Sequence, residues 1–329
     1  MQVRVRMTGE RTVRLIAVDM DGTLLATGGQ VSEANRGAIA AAEACGIEFV
    51  VATGRRHCYA MRQLRALGLR ETNLLVSSNG AVVRTIGNTL IRRALMTRGS
   101  SERMFAEMGE FRNALVVTFD CVGPDGEEER GALVVEELAD LHASIGKWMV
   151  ANEPYIAHIT PVERCLDRGE PIQMMLCGTV ERMRRAEALL RSMQGVYFAD
   201  GEGLSAGADA EITLHRTEYP ERDLSLVDIL PAGASKGAAL RLLAEERGIA
   251  MGEVMAIGDN WNDLSMLEVA GYPVLMRNAP AELLVMAEER GWAVTGSNDE
   301  DGVAAAIRSV LPGDRREAEA VATAVTGVF

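Results

Sequence analysis

Short apolar runs alternate with amphipathic segments at both ends of the chain. Residues 13–18 form an apolar, β-branched run that stops at Asp19, which is typical of a buried strand leading into a loop. Residues 32–45 carry apolar side chains at helical spacing, and residues 47–52 predict another buried strand. The chain therefore begins in a β-α-β order, which favours a parallel sheet.

The pattern changes between residues 85 and 222. Strand-like runs flank a polar turn there, and the run QMMLCG precedes a helical segment at about residues 181–193. Beyond it, residues 226–230 and 254–257 predict strands and residues 236–247 predict a helix, which restores the alternation. The sequence thus predicts an α/β protein with a doubly wound, mostly parallel, Rossmann-like sheet. Residues 1–84 and 223–329 would form this core, and residues 85–222 an inserted α+β domain.

Composition narrows the class of protein. The chain has 329 residues, of which 48% are hydrophobic, enough to bury a large core. It carries 34 Lys and Arg against 47 Asp and Glu, a formal net charge of −13. Because this charge repels nucleic acid phosphates, we expect no nucleic-acid partner.

The sequence contains no pattern typical of a targeting signal. The five cysteines are scattered and form no CxxC pair, which fits a reducing compartment. The N-terminal residues contain no apolar run of signal-peptide length, and no apolar stretch of ~18 residues follows. We expect a cytoplasmic protein that does not contact a membrane. The tail at residues 314–325 predicts a surface helix.

Four polar clusters follow predicted strands or begin predicted helices. They are Asp19 with Asp21, Thr53-Gly54-Arg55, Lys236, and Asp259 with Asn262 and Asp263. Loops at the carboxyl ends of parallel strands meet in one crevice, so we expect these clusters to converge. Two like charges about 4 Å apart repel by roughly 4 kcal/mol at an effective dielectric of 20, so clustered carboxylates require a cation. All-oxygen ligands favour Mg²⁺.

The DMDGT element suits phosphoryl chemistry. Asp19 can direct its carboxylate at phosphorus, Asp21 can reach the leaving oxygen, and Gly22 permits a sharp turn. The DxDG pattern also occurs in calcium-binding loops, but no glutamate stands at the distance that an EF-hand requires.

The other clusters are weaker when taken singly. Thr53 can offer a hydroxyl and a backbone N–H to phosphate, and Gly54 permits close approach, although the pattern also suits a helix N-cap. Lys236 can hold phosphate or belong to the surface. Asp259 and Asp263 can bind a metal or stabilise a helix dipole. Their joint occurrence favours a site.

The motifs DMDGTL, TGR, Lys236-Gly237 and GDNWND, in this order, resemble those of the haloacid dehalogenase superfamily. The SSNGA motif, the large insertion and NAPAELL resemble its Cof-type, class IIB branch. The resemblance implies that Asp19 is the nucleophile and Asp21 the acid and base. It implies the following further roles: metal binding by Asp19, the Asp21 backbone carbonyl, Asp259 and Asp263, and phosphate contacts by Gly22, Thr53, Gly54, Lys236 and Asn262.

The resemblance also implies a function. It predicts a Mg²⁺-dependent phosphatase that hydrolyses a small phosphorylated metabolite, such as a sugar phosphate, through an aspartyl-phosphate intermediate. The insertion would be a cap domain that closes over the site and contacts the leaving group, and so determines substrate specificity. A phosphomutase, or a non-catalytic binding module on the same scaffold, stays open as an alternative, as does a monomeric or homo-oligomeric state.

Some residues have no assigned role at this stage. Arg55 could contact substrate or form a salt bridge. Gln173 stands where many relatives carry a basic residue. Trp148, Tyr155 and His158 could line a pocket or pack within the insertion.

Overall fold

The computed structural model describes residues 12–137, 145–199 and 210–311. The strands, in chain order, are β1 (Leu15–Asp19), β2 (Glu48–Ala52), β3 (Leu74–Ser77), β4 (Val82–Thr85), β5 (Leu90–Arg93), β6 (Leu115–Thr118), β7 (Leu133–Val135), β8 (Ile156–His158), β9 (Gln173–Gly178), β10 (Val196–Phe198), β11 (Ile212–Tyr219), β12 (Leu224–Pro231), β13 (Val254–Gly258), β14 (Tyr272–Leu275) and β15 (Ala293–Val294). The α-helices are α1 (Glu33–Ala44), α2 (His57–Leu64), α3 (Arg98–Glu107), α4 (Gly146–Asn152), α5 (Val180–Arg191), α6 (Lys236–Glu246), α7 (Leu264–Val269), α8 (Ala281–Arg290) and α9 (Gly302–Arg308). The helix predicted at residues 314–325 lies outside the described residues.

The first sheet combines strands from both ends of the chain. Its order is β15-β14-β13-β1-β2-β3-β4-β5. The pairs from β15 to β3 are parallel, and β3, β4 and β5 pair in antiparallel fashion at one edge. All residues of β1 are buried, as expected for a central strand covered on both faces.

Helices cover both faces of this sheet. Ile16 and Val18 pack in the same apolar cluster as residues of α1 and α9, whereas Leu15 and Ala17 pack with residues of α6, α7 and α8. Alternate residues of one strand thus face opposite helical layers. This arrangement confirms the predicted doubly wound α/β fold.

The second sheet lies within the inserted region of the sequence. Its order is β10-β11-β12-β9-β6-β7-β8, and most of its pairs are antiparallel. Leu115 and Val117 of β6 pack with residues of α3 and α5, while Val116 and Thr118 line a cavity on the other face. One face is therefore covered by helices, and the other is available to a site.

The position of strand β12 differs from the one predicted from the sequence. Residues 226–230 were expected to restore the parallel core, but β12 pairs antiparallel with β11 and β9 in the second sheet. Asp223, in the left-handed conformation at φ 47°, lies in the turn that brings β12 back along β11. An apolar run of this length does not encode which sheet it joins, because that depends on its hairpin partner.

The domain boundaries at 84/85 and 222/223 stay predictions. Strands β4 and β5 belong to the first sheet and end at Arg93, whereas β12 belongs to the second and ends at Pro231. We propose the boundaries after these two residues.

Two observations bear on the expectations about membrane contact and about the cysteines. Within the part of the chain that is described, no helix is both long and apolar enough to cross a bilayer. The five cysteines are all free thiols.

Candidate active site at the carboxyl ends of the parallel strands

Three carboxylates meet where β1 and β13 end. Asp19 is the last residue of β1, Asp259 follows β13, and Asp263 lies in the helical turn after it. The two strands are parallel neighbours, which brings their carboxyl ends together. One oxygen from each of the three carboxylates lies within 4.8 Å of the other two. Groups separated by more than 230 residues of sequence therefore share one buried cluster.

Lys236 joins two of these carboxylates. It is the first residue of α6, whose N-cap Ser235 accepts a hydrogen bond from the Ala238 N–H. Its Nζ donates to Asp19 Oδ1 at 2.5 Å and to Asp263 Oδ1 at 2.6 Å, and the side chain is fully buried. Burial lowers the pKa of Lys236, but the two carboxylates more than offset it and leave the pKa above its ordinary value. The ammonium form is thus secured.

Backbone donors hold Asp263 in place. Its Oδ2 accepts the N–H groups of Asp259 at 2.9 Å and Asn260 at 3.0 Å. Oδ1 is the oxygen that accepts from Lys236. Asp263 therefore links the turn after β13 to the first residue of α6, which fixes the position of Lys236.

Asp259 has a neutral partner and a close backbone neighbour. Its Oδ1 accepts the Thr23 hydroxyl at 2.6 Å. Gly22 has φ +79°, and a Cβ at that position would fall 2.4 Å from Asp259 Oδ2. The DMDGT turn thus requires glycine for its conformation and for space. The role of Thr23 was missed by the sequence reasoning, although the motif contains it.

The cluster carries an excess of negative charge. Three buried carboxylates face a single ammonium, so full ionisation leaves two uncompensated negative charges. Burial, then the charge of Asp263, raises the pKa of Asp19 to about 7, and burial together with Asp19 and Asp263 raises that of Asp259 well above its ordinary range. A divalent cation bound by these oxygens would remove this cost, and hard oxygen donors suit Mg²⁺. The residues therefore fit the predicted metal.

The Asp21 side chain is not one of the three clustered carboxylates and is paired with Arg55. Arg55 donates from Nε to Asp21 Oδ2 at 2.7 Å and from Nη2 to Oδ1 at 2.5 Å. Its guanidinium also lies over the ring of Tyr59, 4.8 Å from the centroid. Of the two roles left open for Arg55, the salt bridge is present. The pair holds the Asp21 carboxylate at the cavity wall.

The remaining predicted phosphate contacts are partly used by the fold. The Thr53 N–H donates to the Val76 carbonyl at 2.8 Å. The expectation that this N–H binds phosphate is therefore wrong. The Thr53 hydroxyl accepts the Arg55 N–H and keeps its own proton to donate. Gly54 lines the cavity, as does Asn262, whose Nδ2 donates to Asn79 Oδ1 at 3.1 Å.

A cavity of about 360 Å³ connects the cluster to the second sheet. Asp19, Asp21 and Asn262 lie at its wall together with residues of β6, β9, β11 and β12. Trp148 and Gln173 line it as well. Tyr155 instead stacks on Arg56, 4.9 Å from the guanidinium carbon, and His158 ends β8 without lining the cavity.

Comparison with known proteins decides the family. A model of haloacid dehalogenase-like hydrolases matches residues 16–121 and 210–307. The chain belongs to this family. A 5-amino-6-(5-phospho-D-ribitylamino)uracil phosphatase of Bacillus subtilis is 32% identical over 320 residues, covering 92% of this chain and 99% of that protein.

Solved structures share the fold of this haloacid dehalogenase-like hydrolase. A haloacid dehalogenase-like hydrolase from Bacillus subtilis is 24% identical, with a TM-score of 0.69 and coverage of 90% of this chain and 99% of that one. A subclass IIB sugar phosphatase is 21% identical, with a TM-score of 0.65 and coverage of 90% and 98%. The predicted family, fold class and hydrolase class are confirmed, and the prediction of a phosphatase agrees with the names of the relatives.

Proposed function

We propose that this hydrolase is a Mg²⁺-dependent phosphatase that acts on a small phosphorylated metabolite, with Asp19 as the nucleophile. The observation that carries the proposal is the contact of Lys236 with both Asp19 and Asp263, beside Asp259 and at the wall of a cavity. Relatives with phosphatase names cover nearly the whole chain and support the same activity.

The residues of the chain can perform both steps of a phosphate transfer to water. Lys236 holds Asp19 Oδ1, which leaves Oδ2 to attack phosphorus in line with the leaving oxygen. A new bond forms between Oδ2 and phosphorus, the bond to the leaving oxygen breaks, and the Asp21 carboxyl gives that oxygen its proton. In the second step Asp21 takes a proton from water, whose oxygen displaces the Asp19 carboxylate and releases phosphate.

Charge compensation accounts for the remaining groups. Asp19, Asp259 and Asp263, with the backbone carbonyl of Asp21, would hold Mg²⁺, which would offset the negative charge of the phosphoryl group when bound. The Thr53 hydroxyl, whose proton is not used by the Arg55 N–H contact, and the Asn262 amide at the cavity wall would donate to phosphate oxygens. Arg55 orients the Asp21 carboxylate through two hydrogen bonds.

The test is release of inorganic phosphate from p-nitrophenyl phosphate in the presence of Mg²⁺. We expect wild-type protein to release phosphate, EDTA to stop it, and Asp19→Asn to fall by at least about 1,000-fold, since the nucleophile is lost. Asp167→Asn, an exposed substitution of the same kind, serves as the control and should retain full activity.

The outcome separates the alternatives. Asp19→Asn activity equal to that of wild type would exclude Asp19 as the nucleophile. Transfer of the phosphoryl group to a sugar without free phosphate would favour a phosphomutase. The absence of turnover from a broad panel of phosphomonoesters would favour a non-catalytic binding module.

A further inference from the structure

A further buried carboxylate lies on the cavity wall, on a strand of the second sheet. Asp228 belongs to β12, is 4% exposed and lines the cavity. Its Oδ1 accepts from Gln173 Nε2 at 2.6 Å, and its Oδ2 accepts from Asn79 Nδ2 at 2.9 Å. Neither Gln173 nor Asn79 belongs to the carboxylate cluster of Asp19, Asp259 and Asp263. Asp228 was not among the residues singled out from the sequence.

The setting of Asp228 is unusual for a carboxylate. Within the described residues, two neutral amides are its hydrogen-bond donors, and no cation lies within ion-pair distance. Burial raises its pKa to about 6, against the opposing effect of the two amides. A buried carboxylate without a cation is costly to the fold, and each of its oxygens can still accept a second hydrogen bond. Such a group is suited to a ligand that donates.

The amides around Asp228 are themselves fixed. Asn79 adopts the left-handed conformation at φ 49°, and its backbone N–H donates to the Thr53 carbonyl. Its Oδ1 accepts from Asn262, so its Nδ2 must face Asp228. A chain of hydrogen bonds therefore runs from the loop after β13 to β12. It sets Asp228 in one orientation relative to the phosphate end of the cavity.

Apolar side chains form one side of the wall near Asp228, and the polar Thr118 and Thr217 line the cavity as well. Leu224 and Leu226 lie on the same face of β12, at spacings of two residues, and both line the cavity. Met175 on the neighbouring β9 and Trp148 on α4 complete this side. A leaving group that consists of a sugar alone would place several hydroxyls against these apolar side chains without partners, which is unfavourable. A flat ring with one donor group would bury apolar surface and satisfy Asp228.

We propose that Asp228, oriented by Gln173 and Asn79, accepts a hydrogen bond from an N–H of the leaving group, and that this hydrolase takes phosphate esters that carry a nitrogen heterocycle in preference to sugar phosphates. The inference rests on the proposed phosphatase function for its catalytic readout. The cavity of about 360 Å³ is within the range of about 300 to 1,000 Å³ typical of small-ligand sites.

Turnover tests the preference. Phosphate release is measured for pyridoxal 5′-phosphate and flavin mononucleotide as ring phosphates, and for glucose 6-phosphate and ribose 5-phosphate as sugar phosphates. We expect the better ring substrate to exceed the better sugar substrate in kcat/KM by at least about 10-fold. Asp228→Asn should lower this ratio by about 10- to 100-fold, the loss expected for one hydrogen bond to a charged group.

Two further variants distinguish the loss of a hydrogen bond to the substrate from a folding defect. Gln173→Met removes one donor to Asp228 at similar volume and should lower the same ratio. Asp223→Asn removes a carboxylate from the adjacent turn, where its Oδ1 accepts from the Val180 N–H, and should leave the ratio unchanged. The midpoint of thermal unfolding is recorded for each variant. An unchanged ratio in folded Asp228→Asn, or a wild-type preference for sugar phosphates, would overturn the inference while leaving the phosphatase function intact.

Binding provides a readout that does not depend on turnover. Titration calorimetry with Asp19→Asn protein and Mg²⁺ compares the dissociation constants of flavin mononucleotide, pyridoxal 5′-phosphate and ribose 5-phosphate, with and without Asp228→Asn. Tighter binding of a ring phosphate that is lost in the double variant supports the inference even if the wild type proves inactive. Equal affinity for ring and sugar phosphates rejects it.

Discussion

The Nζ of Lys236 lies 2.5 Å from Oδ1 of Asp19, although 217 positions separate the two residues in sequence. Both side chains are buried, so removal of the ammonium leaves carboxylate charge without its cation. We expect Lys236→Met to lower the free energy of unfolding by about 3 to 5 kcal/mol. We also expect phosphate release to fall by more than about 100-fold, as is typical for loss of a group that stabilises charge in the transition state. Urea unfolding and the phosphate assay measure the two effects.

The matched substitution is Arg241→Met on the same helix, where the side chain is exposed. It should change the free energy of unfolding by no more than about 0.5 kcal/mol. Wild-type activity in Lys236→Met would remove the lysine from the proposed mechanism.

Gly22 and Gly29 form a natural pair for testing the turn after β1. Both have φ near +80°, but a Cβ at Gly22 would fall 2.4 Å from Asp259 Oδ2, whereas nothing lies within 4 Å of one at Gly29. Gly29→Ala should therefore cost only the left-handed strain of about 1 to 2 kcal/mol and retain activity. Gly22→Ala should be less stable than Gly29→Ala and should lose phosphate release because Asp259 is displaced. Equal stability and activity of the two variants would show that the close approach has no consequence.

Metal binding should be visible in stability as well as in activity. A ligand that binds only the folded state at 100 times its dissociation constant stabilises it by about 2.7 kcal/mol. We expect Mg²⁺ to raise the midpoint of thermal unfolding of the wild type and to have no such effect on Asp259→Asn. Differential scanning calorimetry at pH 8, with EDTA or with excess Mg²⁺, measures the shift. The same Mg²⁺ shift in Asp259→Asn would place the ion elsewhere.

In metal-free protein the substitution should act in the opposite direction. Burial and the neighbouring carboxylates raise the pKa of Asp259, so its ionised form destabilises the fold at pH 8. Asp259→Asn should then be at least as stable as wild type when EDTA is present. A large loss of stability there would contradict the charge argument.

The titration of Asp228 predicts a pH dependence of stability. Burial raises its pKa from the ordinary 3.8 to about 6, so the folded protein holds more protons than the unfolded chain between these values. Its contribution to the free energy of unfolding is fully present below pH 3.8 and is lost as the pH rises through 6. Asp228→Asn does not titrate, so wild type minus variant should decrease between pH 4 and 7. Urea unfolding in EDTA measures this difference, and a flat or rising difference would contradict the raised pKa.

The sequence predicted the first and second strands and the carboxylate that follows the first of them because these features are encoded locally. Residues 13–18 are apolar enough to occupy a central strand, and Asp19 follows at the point where such a strand must end. Ser32 caps α1 as its position before the helix suggests, with Oγ accepting the Asn35 N–H. These features depend on neighbouring residues only, so pattern and spacing determine them.

Tertiary structure decided the features that depend on partners far away in the chain. The N–H of Thr53 is used by β3, β12 pairs with β9 and β11, and Asp228 meets Asn79 across 149 residues of sequence. The local sequence of an apolar strand, or of a single aspartate within it, is compatible with either sheet. It does not specify which strand will pair with it. The sequence by itself thus determined the family, strands β1, β2 and β13, and the carboxylates that follow β1 and β13. The fold alone determined which polar groups remain free, and so where a leaving group can bind.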